Sequence, residues 1–84
     1  MFEVLIERGA ERDIESLPGN MHGRVVEVLM GLKRNPYPAG CRRITGSKSD
    51  WRVRIGDYRA IYEVDQGGRT VRIMRIRHRR EVYR

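Results

Sequence analysis

The chain of 84 residues is short of several things. It has one cysteine, Cys41, so no internal disulfide can form, and nothing suggests a cysteine-based metal site. No run approaches the roughly 20 apolar residues of a membrane-spanning helix. The start, "MFEVLIERGAER", lacks a basic stretch followed by an apolar one, so no signal peptide is expected. These absences favour a reducing, cytoplasmic setting. Lysine is almost missing: 16 of the 18 basic residues are arginine. There is no internal repeat, linker or low-complexity block, so one domain, 1–84, is expected, with a modest core for its size.

Hydrophobic residues are 39% of the chain and charged ones 35%, too apolar and too well patterned for a disordered segment. The net charge of +7 is unevenly spread. Residues 1–41 hold five basic against six acidic side chains, and residues 42–84 hold thirteen against five. The second half therefore carries all the excess. Arginine offers a planar fork that matches phosphate bidentately and stays charged at pH 7. Such a surface suits nucleic acid or an acidic protein partner, and the plainer alternative is solubility charge.

Periodicity predicts the order of elements. "FEVLIE" (2–7) alternates as a strand with Phe2, Val4 and Ile6 on one side. "AERDIESL" (10–17) reads as a short helix, interrupted at Pro18-Gly19. Met21, Val25, Val28, Leu29 and Leu32 form one apolar stripe on a second helix, expected to end near Lys33-Arg34 before "NPYP". A weak strand, "CRRIT" (41–45), precedes "WRVRIG" (51–56), "YRAIYEVD" (58–65) and "RTVRIMRIR" (69–77). Gly56-Asp57 and "QGG" (66–68) read as hairpin turns. The expected architecture is α+β: an N-terminal strand, a two-helix hairpin, then an antiparallel sheet of three or four strands with the helices on one face.

Arg52 and Arg54 share a strand face by the period of two, and Arg59 follows just past the turn. Arg75, Arg77 and Arg79 are expected on one face of the final strand, with Arg80 beside them and Lys48 in the preceding loop. If the strands are neighbours, these groups converge on one surface able to hold a phosphodiester backbone. They could also stabilise the extra charge of a phosphorane-like transition state. His78 and Tyr83 lie close by in sequence. His78 is either a proton carrier or a solvated surface residue. Tyr83 could donate a proton, orient an attacking group, stack on a base or simply anchor the terminus. His22, Trp51 and Tyr62 read as surface or packing residues, and Cys41 as a passive small one. Gly67-Gly68 precedes no helix and is not a phosphate loop. No cofactor or metal is expected.

Taken together, "WRVRIGDYRAIYEV" and the ending "RIRHRREVYR" resemble the RelE/ParE superfamily of type II toxins, and the resemblance runs the length of the chain through "AERDIESLP" and "NPYPAG". The resemblance implies the RelE-like toxin fold. For the RelE branch it implies a metal-independent endoribonuclease that cuts mRNA in the ribosomal A site by attack of the 2′-OH. It also implies a cognate antitoxin that covers the basic face. The family's functional positions fall on Arg52, Arg54, Arg59, Arg77 and Tyr83, with Arg59 and Arg77 matching its phosphate clamps. RelE-like enzymes often carry lysine where this chain has Arg52 and Arg54, which leaves the base to a tyrosine or to His78. The alternatives are inhibition of DNA gyrase, as in the ParE branch, and a non-catalytic form that only binds an antitoxin or RNA.

Overall fold

The computed structural model describes residues 1–82, with side chains through residue 80. Strand β1 (Glu3–Ile6) leads into helices α1 (Arg8–Glu15) and α2 (Gly19–Gly31). Strands β2 (Arg42–Arg43), β3 (Asp50–Ile55), β4 (Tyr58–Asp65) and β5 (Thr70–His78) follow, then a four-residue helix α3 (Arg79–Val82). The sheet has five strands in the order β1-β5-β4-β3-β2. The strands β2 to β5 form the expected antiparallel meander. β1, however, joins in parallel at the far edge, with Glu3 opposite Thr70 and Ile6 opposite Ile73.

One face of the sheet is covered by α1 and α2. Ala10 and Ile14 of α1, and Met21, Val25 and Leu29 of α2, are buried at helical spacing against Val53, Ile55, Ala60, Tyr62, Val64, Val71, Ile73 and Ile76. The fully buried Tyr62 is the largest side chain in this core, and its hydroxyl donates to the Pro36 carbonyl at 2.8 Å. That bond fastens the "NPYP" segment over the sheet. Burial pushes the Tyr62 phenol well above its ordinary pKa, and neighbouring Cys41 and Tyr37 add to the shift.

Several boundaries differ from expectation. α2 closes at Gly31 and continues only as turns, so Lys33 and Arg34 lie beyond its last helical residue. Ile6 is exposed, because the chain leaves the sheet for α1 directly after it. In the β4–β5 turn the left-handed residue is Arg69 (φ 51°), not a glycine. Its guanidinium lies 4.7 Å from the Phe2 ring, a cation–π contact that offsets some of the backbone cost. Gly68 lies close to the same turn's acid: a Cβ there would meet Asp65 Oδ2 at 2.7 Å, so the exposed carboxylate would have to swing aside.

The feature that positions the site is a bulge in β5. Ile61 pairs with Arg75 while Tyr62 pairs with Ile73, so Met74 is an extra residue without an opposite number. The extra residue reverses the alternation. Val71, Ile73 and Ile76 all face the core, whereas under an unbroken period of two Arg75 and Arg77 would share the face of Val71 and Ile73. The bulge turns these arginines to the open face.

Candidate functional site

On the open face, three arginines stand side by side across three strands. Arg54 of β3 is opposite Arg59 of β4, and Arg59 is opposite Arg77 of β5. Strand spacing puts neighbouring Cα atoms about 5 Å apart. Arg59, in the middle, is only 7% exposed. It donates from Nη1 to the Tyr58 carbonyl at 3.2 Å, and Arg54 Nε donates to the Gly56 carbonyl at 3.1 Å, so both stems are held near the hairpin tip. Arg52, one strand period from Arg54, is paired with Arg42 of β2. Gly40, Arg42, Arg52, Arg54 and Arg59 line an open concavity of about 390 Å³.

The opposite end of the same face is different. There Arg72 meets Glu63 at 3.6 Å and Glu7 at 3.9 Å, both exposed pairs. The acids thus balance the Arg72 end, whereas the register partners of Arg59 are themselves arginines. Like charges directly opposite one another in a sheet cost stability. A bound anion would relieve that cost. The arrangement can therefore hold a phosphodiester, with its single negative charge, and stabilise more strongly a phosphorane, in which a second charge accumulates on the non-bridging oxygens.

The remaining sequence candidates are placed as follows. Arg75 shares the open face by register, but its guanidinium turns round the sheet edge to Asp13 of α1, with Nε 2.8 Å from Oδ2 and Nη2 3.2 Å from Oδ1. It is a tie between helix and sheet as well as a surface cation. Asp13 also accepts the Ile76 N–H at 2.9 Å, taking the place of a strand neighbour where β1 has ended. Burial opposes its charge, but the Arg75 and Ile76 hydrogen bonds, with the fields of Arg75 and Arg77, hold the Asp13 pKa below the ordinary value.

Arg79 is not on the final strand. The chain turns there, its N–H bonds to the Asp57 carbonyl at 2.7 Å, and α3 begins. Arg80 is exposed on α3, and Lys48 is exposed in the β2–β3 loop. His78 lies apart from the arginines. Alternation sends it to the face opposite Arg77, where its ring packs edge-on against Tyr58 at 5.2 Å. There it borders a small pocket of about 200 Å³ with Asp13, Ser16, Leu17, Tyr58 and Ile76. Its Nδ1 accepts the Arg80 N–H at 3.3 Å. The sheet separates His78 from the arginine row, and the structure does not bring the two together. Tyr83 lies outside the described residues.

Sequence reasoning overlooked two residues that the structure brings forward. Arg42 lines the concavity, and its signal was present, since the "CRRIT" strand alternates Arg42 with Arg43. Asp13 had only the helical spacing of α1 to mark it. Among the described residues no group of three or more His, Cys, Asp or Glu side chains could hold a metal ion. None of the described helices is long and apolar enough to cross a membrane.

Comparison with known proteins identifies the family and agrees with the fold. Residues 4–83 match the family model described as ParE toxin of type II toxin-antitoxin system, parDE. Toxin RelG of Mycobacterium tuberculosis is 38% identical, with 99% of this chain and 97% of that protein covered. Toxin RelE of the same organism is 33% identical, covering 99% of this chain and 87% of its own length. Among solved structures, the archaeal RelE–RelB complex from Pyrococcus horikoshii contains a chain that superposes with a TM-score of 0.83 at 26% identity, covering 93% of this chain and 94% of that one. With a family model spanning nearly the whole sequence, full-length relatives and a shared fold, the chain belongs to the RelE/ParE superfamily of toxins of type II toxin–antitoxin systems.

Proposed function

We propose that this toxin is a ribosome-dependent mRNA endoribonuclease that cuts RNA in the A site and so inhibits translation. The observation that carries the reading is the Arg54–Arg59–Arg77 row on the open sheet face. RelE-named relatives along the full chain support it. In the reaction the 2′-OH loses its proton and its oxygen attacks the adjacent phosphorus. The P–O5′ bond breaks, giving a 2′,3′-cyclic phosphate and a 5′-OH whose oxygen takes up, through water, the proton the 2′-OH released. Arg59 and Arg77 flank the phosphate and stabilise the added negative charge, and Arg54 completes the clamp. Arginine stays protonated, so Arg52 and Arg54 bind and orient rather than act as the base. With His78 on the other face, Tyr83 is the side chain assigned to orient the nucleophile. A cognate antitoxin, as in the RelE–RelB complexes of relatives, is the expected protein partner and would cover the same cationic face.

The test is primer extension on translated mRNA after induction. Removing one donor from an oxyanion-stabilising set costs about 10²–10³-fold in rate, so Arg77→Ala and Arg59→Ala are each expected to lose that much. Cleavage unchanged in the double variant, with the protein still folded, would refute the site. The matching family model is named for the ParE branch, which favours gyrase inhibition as the second reading. A supercoiling assay with purified gyrase separates the two, since the endoribonuclease leaves supercoiling untouched.

A further inference from the structure

The arginine row accounts for one phosphate, yet the concavity extends beyond it. Its far wall is Arg42, on the two-residue edge strand β2, directly opposite Arg52. Arg42 is exposed, and no side-chain bond or ion pair of Arg42 is found among the described residues. Gly40, in a left-handed conformation (φ 89°) with open space around it, leads the chain into β2 and also lines the concavity. Two strand spacings and one strand period separate the Cα atoms of Arg42 and Arg59, about 12 Å in all. A nucleic-acid strand lying over Arg59 and crossing towards β2 would bring its next phosphate within reach of the long Arg42 and Arg52 side chains.

We propose that Arg42, together with Arg52, forms a second phosphate subsite that holds the RNA phosphate neighbouring the scissile one. This rests on the reading of the open face as an RNA site and adds a positioning residue to it. The direction of the concavity, from β4 across β3 to β2, sets which way the strand runs out of the clamp. Arg43 is the built-in contrast. It is the next residue on the same strand, but alternation places it opposite Trp51, with its guanidinium 5.2 Å from that ring. It contributes similar charge but not to the concavity.

The experiment measures binding of 2′-O-methyl oligouridylates, which lack the nucleophile, to the full chain and its variants. Lengthening the probe from two to three nucleotides adds one phosphodiester. The parent and Arg43→Gln are expected to gain about tenfold in affinity from it, and Arg42→Gln less than twofold. Arg42→Lys, which keeps the charge, is expected to recover part of the gain. The dependence of log K on log salt should fall by about 0.7 in Arg42→Gln for the three-nucleotide probe, as for one phosphate lost on a single strand. Thermal melts confirm folding of each variant. An equal gain in Arg42→Gln and parent overturns the subsite. So does an effect of Arg42→Gln confined to a hexaglutamate peptide, which would assign the residue to an acidic protein segment. If the parent shows the phosphate gain but does not cut translated mRNA, the proposed function fails while the subsite stands.

Discussion

Replacing Asp13 tests whether the end of β5 is held by a side chain that acts in place of a strand. In Asp13→Ala three hydrogen bonds disappear: two from Arg75 and one from the Ile76 N–H. A bond to a charged acceptor contributes about 1.5–3 kcal/mol, and an orphaned buried N–H costs its desolvation as well. The Arg75 partner is 42% exposed, so solvent screening cuts its share to about 1 kcal/mol or less. Together the loss is about 3 kcal/mol, a large part of the 5–15 kcal/mol typical of a domain. For a chain of this size each kcal/mol moves the melting temperature by roughly 4–8 °C, so a fall of roughly 15 °C is expected. Asp13→Asn keeps an acceptor and loses the charge, and should fall about half as far. Because the folded pKa of Asp13 is depressed, its stabilisation is complete above the unfolded value near 4 and is lost as pH drops through the folded one. Urea denaturation from pH 7 down to 3 should therefore show a constant gap between parent and Asp13→Asn that closes in acid. An Asp13→Ala variant within about 0.5 kcal/mol of the parent, or a gap indifferent to pH, would refute the reasoning.

Two further substitutions probe the fold. Gly68→Ala should cost about 0.5–1 kcal/mol in urea denaturation, because the new methyl displaces the Asp65 carboxylate, 2.7 Å away, from its bond to the Gly68 N–H, whereas Gly67→Ala, with its nearest atom at 3.6 Å, should be tolerated. Tyr62→Phe removes the 2.8 Å bond to Pro36 and should cost about 1–1.5 kcal/mol. It should also abolish the most alkaline step of a spectrophotometric tyrosine titration. Since burial raises the folded pKa of Tyr62, that group's contribution is whole below about pH 10 and falls away above it.

The helices and the β3–β4 hairpin were readable because their signals are local. Apolar spacing in α1 and α2 and strict alternation in "WRVRIG" each need only a few consecutive residues. The parallel docking of β1 beside β5 was not readable, because nothing in "FEVLIE" names a partner some 67 residues away. The arginines of β3 and β4 could be aligned from the turn at Gly56-Asp57 alone. Those of β5 needed the bulge, and its signature was present: apolar residues at 71, 73 and 76 break the period of two. Reading that break gives Arg75 and Arg77 a face without Val71 and Ile73. Alternation also separates His78 from Arg77, whereas closeness in sequence had suggested that they work together. Arg79 was misplaced because the strand stops where the Asp57 carbonyl captures its N–H, a contact between segments 22 residues apart.

The position of β5 has a consequence for the order of assembly. It lies between the first strand of the chain and the second half of the sheet, yet it is the last strand to be synthesised. Until it is in place, β1 has no neighbour, and the arginine row lacks Arg77. Pairing across such a separation is slow relative to local hairpins. A nascent chain can thus form the α1–α2 hairpin and the β3–β4 hairpin while still carrying only two of the three arginines of the row. The toxin's own topology postpones the completion of its arginine row until β5 has been made and has found its place between β1 and β4.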